Sequence, residues 1–541
     1  MMTREPQPIV LIRGFGGLGV DDERRIAYQG FNDGTVYPNK RGENYIYEGL
    51  ILRFMKSNWE YHDATNVVGY YEKKPQHMLD IDSLRGRKHY EDLKKLEEEG
   101  FFQEDSVVVD PAMARSLLER TKDLRHTLWV FRYYDLTRNF STYAAALVRL
   151  IEFIRRLAQI KHQSVPKVNI IAHSMGGLIV REALQVQYAS KAKAEEAINK
   201  IVTLGTPHRG IVFQVLQNWI GVEASEELAF FNPEFQEKDK KRGYKEFAKA
   251  FDPKRLLCVV GTNYRSYGVQ VSTWANRLFS VAGEFGANYN RSDGLVKLTS
   301  AEIPGAHRTF VHKCHGGFDS LVTSREAFEV ASRFFFGNTR TRLHLLTADV
   351  TRGLDMFGKS EVFFGVSIKP RRVDFDLFHQ SAEAENCYGP FSTRDLSDPS
   401  PAFGWAGANR LIWEGWFDSS LVIRDPSITT RDMVFRLDFY VGERDLFGIG
   451  FSDNVIFRKQ YYVRAIFGKG GRLTEMWRHT GEEFALPNFA PKPPNDQKMK
   501  GDGEGWCFDI EESGFKARLR VEIDEVPEEG DPVPLKVPAE A

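Results

Sequence analysis

The chain has 541 residues, too many for one ordinary core, so two domains or one elaborated domain are expected. A hydrophobic share of 42 % is that of a globular protein, and 40 Phe, 20 Tyr and 9 Trp promise extensive aromatic surface in cores or against ligands. A formal net charge of −1 gives no electrostatic reason to expect nucleic acid as a partner, or strong attraction to an anionic membrane.

The opening MMTREPQPIV lacks a basic stretch followed by an apolar run, so no Sec-type signal peptide is expected. No segment approaches the roughly 18 apolar residues of a spanning helix. Cys258, Cys314, Cys387 and Cys507 lie far apart with no C-x-x-C pairing, which argues against a disulfide framework or a zinc site. A reducing compartment follows, with the cytoplasm as the expectation and signal-independent export left open.

In chain order, PIVLIR (8–13) reads as a buried strand ending in the glycine-rich turn GFGG (14–17). TLWVFRYYDL (127–136) is the next strand. STYAAALVRLIEFIRRLAQI (141–160) follows as a helix, with apolar residues at Ala144, Leu147, Val148, Ile151, Ile154 and Ala158. Then come the strand KVNIIA (167–172), a tight turn and the helix MGGLIVREALQVQY (175–188). INKIVTLGTPHRG (198–210) is strand then loop, KRLLCVVGTN (254–263) and RTFVHKC (308–314) are strands, and SREAFEVASRFFFG (324–337) is a helix with a glycine stop. Strands alternating with helices predict a mostly parallel sheet covered on both faces. Residues 18–125 and 211–253 interrupt that rhythm. Both leave from the C-terminal ends of strands, where open α/β sheets bind ligands, so they read as caps or lids.

Beyond about residue 340 the texture changes. EVFFGVSIKP, LIWEGWF, MVFRLDFYV, NVIFRKQYYVRAIF and FKARLRVEI are short β-rich runs separated by Pro-, Gly- and Asp-rich loops. They predict an antiparallel β-sandwich over 343–527, after a first domain spanning 1–342. The tail 528–541, rich in Pro and Glu, reads as disordered.

The chemistry centres on VNIIAHSMGGLIVREAL (168–184), where a strand turns into a helix at Ser174. Such a turn lifts a hydroxyl off the sheet edge and aims backbone N–H groups and the helix dipole at developing negative charge. The positions two before and two after the serine must be small, and Ala172 and Gly176 are. The plain alternative is a serine N-cap. A nucleophilic serine needs a base and an acid, in the order Ser, acid, His along this kind of chain. Asp293, in the turn SDGLV (292–296), and His315, after the last strand, satisfy that order. His312 is the rival base, but reads as a residue within the strand. A second oxyanion donor is needed beside the Met175 N–H, and the Phe15 N–H in the first glycine-rich loop supplies it. The same GFGGLG fails as a dinucleotide fingerprint, because the charged run Asp21–Arg25 follows where a helix should open.

RGFGG (13–17), YYDLTR (133–138), AHSMGGL (172–178), VTLGTPHRG (202–210), SDGLV (292–296) and HGGFDSL (315–321) together resemble the lipase branch of the α/β-hydrolase superfamily. The likeness is to bacterial triacylglycerol lipases, glycosylphosphatidylinositol inositol-deacylases and lecithin–cholesterol acyltransferases, and it spans residues 8–337. It implies an α/β-hydrolase fold, with Ser174 as nucleophile, Asp293 as acid, His315 as base, and Phe15 and Met175 as oxyanion donors. His173 and His208 would be scaffold residues. The sequence departs from the pattern at Arg13, where these lipases usually carry histidine.

The expected reaction is hydrolysis of a carboxylic ester, with a lipid-like acyl chain, through an acyl-enzyme and with no metal or organic cofactor. Ile211, Phe213 and Trp219 are candidate acyl contacts. An acyltransferase would use the same intermediate, and a non-catalytic hydrolase-like binding protein is the alternative from another class. The C-terminal region could make a peripheral lipid or protein contact. Its acidic stretch DGEGWCFDIEES (502–513) lacks the ligand spacing of a calcium site.

Overall fold

A computed structural model describes residues 4–14, 46–64, 68–70, 79–102, 107–109, 111–131, 139–211, 230–264, 292–316, 319–350, 361–370, 376–382, 386–391, 410–418, 431–444, 454–468, 473–480, 495–527, 532–535 and 537. The first unit is built on strands β1 (Ile9–Ile12), β2 (His62–Asp63), β5 (Thr127–Phe131), β6 (Val168–His173), β7 (Ile198–Leu204), β8 (Leu256–Gly261) and β9 (His307–Val311), with β3 (Val68–Tyr70) and β4 (Val107–Val109) forming a separate pair. The seven make one sheet in the order β2-β5-β1-β6-β7-β8-β9, parallel at every junction.

The runs IVLI and LLCVVG are buried at every position, as parallel strands covered on both faces must be. The helix Phe140–Ile160 buries Ala144, Leu147, Ile151, Ile154 and Ala158 along one stripe, and Asn139 caps its start through its side chain. The helix Arg325–Phe336 is capped by Ser324 and packs through Phe328 against Phe54 of the helix Ile46–Met55. That helix and β2 lie inside the stretch 18–125. The stretch therefore contributes an edge strand to the sheet, beyond the cap expected of it.

From β5 the chain passes over β1 to reach β6, reversing the direction in which strands are added. The loops leaving β1 and β6 at their C-terminal ends therefore face one another, the usual position of a ligand crevice in such sheets.

The second unit follows the helix Arg325–Phe336 after only Gly337 and Asn338. Its first strand, β10 (Thr339–Val350), starts ahead of position 343, where the sequence suggests a boundary. β11 (Glu361–Pro370), β12 (Tyr388–Phe391), β13 (Leu411–Phe417), β14 (Arg431–Arg444), β15 (Asn454–Phe467), β16 (Leu473–His479), β17 (Asp496–Lys498), β18 (Lys500–Gly501), β19 (Trp506–Glu512), β20 (Phe515–Glu525) and β21 (Val533–Pro534) complete it. They form two antiparallel sheets, β13-β10-β20-β19-β18 with β21 added on β20, and β12-β11-β14-β15-β16-β17. β21 lies in the tail that the composition marks as disordered, and pairs with Asp524 and Glu525.

Aromatic rings join the two sheets face to face, as in a sandwich. Phe515 lies 5.1 Å from Phe457, and Phe435 lies 5.7 Å from Phe417. The sandwich also covers β9, the edge of the parallel sheet. Phe310 stacks on Phe378 at 5.5 Å, Trp416 sits 4.8 Å from both His307 and Phe334, and His307 Nδ1 meets Glu414 Oε2 at 2.6 Å. One continuous hydrophobic cluster consequently runs from β1 to β20.

Candidate active site

Ser174 follows β6 with φ 52° and ψ −123°, a backbone conformation rare for a residue with a side chain. The turn is held from both sides: its N–H donates to Leu204 O at 2.9 Å, and Gly177 N–H donates to its carbonyl at 3.1 Å. Small residues around it are obligatory. A Cβ on Gly176 would sit 2.4 Å from Arg13 O, and one on Gly177 2.1 Å from Thr206 Oγ1. A Cβ on Gly14 would come within 2.8 Å of Ser174 Cβ, so the loop leaving β1 runs directly against the serine.

Asp293 and His315 reach the same point from the far side of the sheet. Ser174 Oγ–H donates to His315 Nε2 at 2.9 Å, and His315 Nδ1–H donates to Asp293 Oδ2 at 2.8 Å. A carboxylate only accepts, which fixes the tautomer of His315. The other carboxylate oxygen, Oδ1, accepts from the N–H groups of Leu295 and Val296 at 3.1 and 2.8 Å. The backbones are joined as well, His315 N–H donating to Asp293 O at 2.8 Å. All three side chains are buried, at 1–2 % exposure, so their electrostatic coupling is strong. Gly205 and Gly261 leave the room they need. A Cβ on Gly205 would lie 2.7 Å from Asp293 Oδ2, and one on Gly261 2.6 Å from Asp293 Cβ.

The two scaffold histidines have definite partners. His173 Nε2–H donates to the carbonyl of His315 at 2.9 Å, tying the residue before the serine to the loop that carries the imidazole. Burial, reinforced by the neighbouring His315, pushes His173 well below the usual imidazole range, so it is neutral. His208 is fully buried, bonded through Nε2 to Thr203 Oγ1 at 3.1 Å, and burial and Arg181 hold it neutral too. Arg181 donates from Nη1 to His208 O at 2.8 Å, and its burial lowers its pKa to about 9. Sequence reasoning missed Arg181 and Gly261, whose roles depend on contacts between distant segments.

His312 lies one residue past the end of β9, where the sequence suggests a place within the strand. Its Nδ1 lies 3.2 Å from Thr262 Oγ1 and its ring 5.3 Å from that of His379 on the sandwich, so it is engaged away from Ser174. Met175 opens the helix Met175–Glu182, with its N–H among the free donors of that helix start. Arg13 is buried and donates from Nη1 to Gly14 O at 3.0 Å, bracing the loop where a histidine was expected. Ile211 is buried, with its N–H donating to Phe231 O at 2.7 Å. Phe15, Phe213, Trp219 and the segment YYDLTR (133–138) lie outside the described residues. Among the described residues no cluster of His, Cys, Asp or Glu could hold a metal ion, and no helix is long and apolar enough to cross a membrane.

A family model described as the PGAP1-like alpha/beta domain matches residues 136–242, which carry β6, the serine turn and β7. The first unit, a parallel sheet flanked by helices, has an α/β-hydrolase-like fold. No curated protein matches the chain. Among solved structures, the chain is similar to Bacillus licheniformis lipase BlEst2 in its mature form, at 18 % identity and a TM-score of 0.27, covering 37 % of this chain and 76 % of that one. The chain is also similar to phospholipase PlaB from Legionella pneumophila, at 11 % identity and a TM-score of 0.27, covering 72 % of this chain and 89 % of that one.

Proposed function

We propose that the chain is a serine hydrolase of carboxylic esters with lipid-like acyl groups. The observation that carries this reading is the unbroken hydrogen-bond chain from Ser174 Oγ through His315 to Asp293. Ser174 Oγ attacks the ester carbonyl carbon as His315 Nε2 takes its proton, and Asp293 stabilises the imidazolium that forms. The N–H of Met175, with that of Phe15 beyond Gly14, receives the oxyanion. Collapse breaks the bond to the leaving alcohol, which takes the proton from His315. Water, deprotonated in turn by His315, then releases the acid and restores Ser174. Support for a lipid-like acyl chain comes from the motif resemblance and from the apolar residues Ile211, Phe213 and Trp219 at the start of the second insertion.

A fluorophosphonate probe tests the site. Wild type and His312→Ala should label, whereas Ser174→Ala should not. His315→Ala should lose at least about 10³-fold in kcat/KM on p-nitrophenyl esters. Labelling that survives Ser174→Ala, or activity that survives His315→Ala and is lost in His312→Ala, would refute the assignment. Rates that rise with acyl length from acetate to decanoate would support the lipid-like substrate.

A further inference from the structure

The sandwich does more than cover β9. Residues 376–382, between β11 and β12, and Asn386, two positions ahead of β12, reach the ends of β8 and β9 at the sheet edge that carries Ser174. These residues are seated firmly on their own sheet. Ile368 N–H donates to Phe378 O and Leu377 N–H to Ile368 O, each at 2.8 Å. Val366 N–H donates to Gln380 Oε1 at 3.3 Å, while Ser367 Oγ–H donates to Gln380 O at 3.1 Å. Gln380 in turn donates from Nε2 to Asn386 O at 3.2 Å, and both residues are buried.

These contacts orient the Asn386 amide. Its Oδ1 accepts from Ser381 N–H at 3.0 Å, which places the nitrogen on the other side. One hydrogen of Nδ2 stays within the sandwich, donated to His379 O at 2.6 Å. The other leaves it, donated to Thr262 Oγ1 at 2.9 Å, just past β8. Thr262 is buried too. A buried donor whose own direction is fixed by a satisfied network restrains its acceptor in place.

Thr262 is the middle of a short segment on which both Asp293 and His315 depend. Before it, Gly261 lies so close that a Cβ would sit 2.6 Å from Asp293 Cβ and 2.7 Å from Lys313 O. Thr262 N–H donates to Val311 O at 3.1 Å, and its hydroxyl lies 3.2 Å from His312 Nδ1. After it, Asn263 N–H donates to Lys313 O at 3.2 Å, and Asn263 Nδ2 to Asp319 Oδ2 at 3.1 Å. Asp319 O accepts from Cys314 N–H at 3.0 Å, and the next residue, His315, donates its N–H to Asp293 O. Residues 261–263 therefore set the spacing between the acid and the strand end that leads into the base. A shift of about 1 Å in such a support lowers turnover by as much as about 10²-fold.

We propose that Asn386 is a positioning residue for the ester-hydrolase reaction: through the Thr262 hydroxyl, the sandwich holds the end of β8 where Asp293 and His315 align with Ser174. The inference rests on the serine-hydrolase reading, and it makes the second unit a working part of that site. Asn386 touches neither the substrate nor the reacting atoms. Its loss therefore falls on kcat and leaves KM alone.

The test compares kcat and KM on a p-nitrophenyl ester with urea stability, in full-length variants. Asn386→Ala should lower kcat about tenfold or more, with KM within about twofold of wild type. Thr262→Val, which removes the hydroxyl, should do the same, and Thr262→Ser, which keeps it, should retain the wild-type kcat. The double variant Asn386→Ala/Thr262→Val should lose no more than either single one, because both break one path. Trp416→Leu is the control. It loosens the sandwich at the opposite end of β9, beside His307, and should lower stability while leaving kcat unchanged. If Asn386→Ala does not fold, the Thr262 pair decides. Wild-type kcat in Asn386→Ala, or equal kcat in Thr262→Val and Thr262→Ser, would overturn the proposal. So would losses that multiply in the double variant, or a kcat that falls as far in Trp416→Leu as in Asn386→Ala. These outcomes are read against a wild type that labels with the fluorophosphonate probe and turns over; a wild type that does neither removes the serine-hydrolase reading, and the proposal with it.

Discussion

Ser174 holds its φ of 52° only because the surrounding structure requires it. Strain of this kind costs on the order of 1–3 kcal/mol, and a glycine would relieve much of it. Ser174→Gly should therefore be more stable than Ser174→Ala by about 1 kcal/mol in urea denaturation, with both variants inactive. Equal stabilities would mean that the turn is not strained. Gly205 makes the complementary case. Its φ is 55°, and a Cβ there would press 2.7 Å from Asp293 Oδ2 and 3.1 Å from His315 Nδ1. Gly205→Ala should fold, lose about 1–2 kcal/mol of stability, and lower kcat on a p-nitrophenyl ester by tenfold or more with KM little changed. A wild-type kcat would dissociate the Asp293–His315 geometry from turnover. The residues singled out from chain order alone, Ser174, Asp293 and His315, are the three whose side chains meet. Motif order carried that much because the topology fixes which strand ends neighbour one another. It carried nothing about the bond from His173 to the His315 carbonyl, which joins positions 142 apart.

Among the elements, legibility followed burial. β1 and β8 were readable because a short, wholly apolar run suits a strand covered on both faces, and the helix Phe140–Ile160 because its apolar stripe recurs at helical spacing. β2 was not, since His62–Asp63 has no period and its pairing with Thr127 and Leu128 is a tertiary fact. The helical pattern after Ser174 runs on to residue 188 in the sequence, yet the α-helix stops at Glu182 and a π-helical turn, Ala183–Gln187, completes it. Three elements also carry a shared pH response. His173 on β6, His208 after β7 and His479 on β16 are all held below the ordinary imidazole range, chiefly by burial, His479 at about 4. The unfolded chain takes up these protons near pH 6.5. Below that pH it binds more protons than the folded chain, so stability falls as pH drops from about 6.5 towards 4. His479 donates to Asp496 Oδ1 at 2.9 Å, with Arg464 and Arg478 close by. His479→Gln can keep the bond and removes the titration. Its urea midpoint should fall less steeply than wild type between pH 7 and pH 5, and parallel slopes would contradict the burial argument.

At the scale of the molecule, the sandwich completes the parallel sheet. β9 is that sheet's last strand, and Phe310 on it is 1 % exposed only because Phe378 and its neighbours cover it. Trp416 closes over His307 and Phe334 in the same way, while Asn386 Nδ2 donates to Thr262 Oγ1 at 2.9 Å, just past β8. A chain ending at Gly337 would keep every residue of the Ser–His–Asp arrangement, yet leave an apolar edge strand open to pairing with other chains. It should elute as aggregate in size-exclusion chromatography where the full chain is monodisperse. Phe310→Lys separates edge exposure from a general loss of folding, because its sign depends on the sandwich. In the full chain it buries a charge and should cost about 3–5 kcal/mol. In the chain ending at Gly337 the same lysine blunts the open edge and should raise the soluble fraction. A truncated wild-type chain that runs as a stable monomer would show that the sandwich is an appendage, and that the edge of β9 needs no cover.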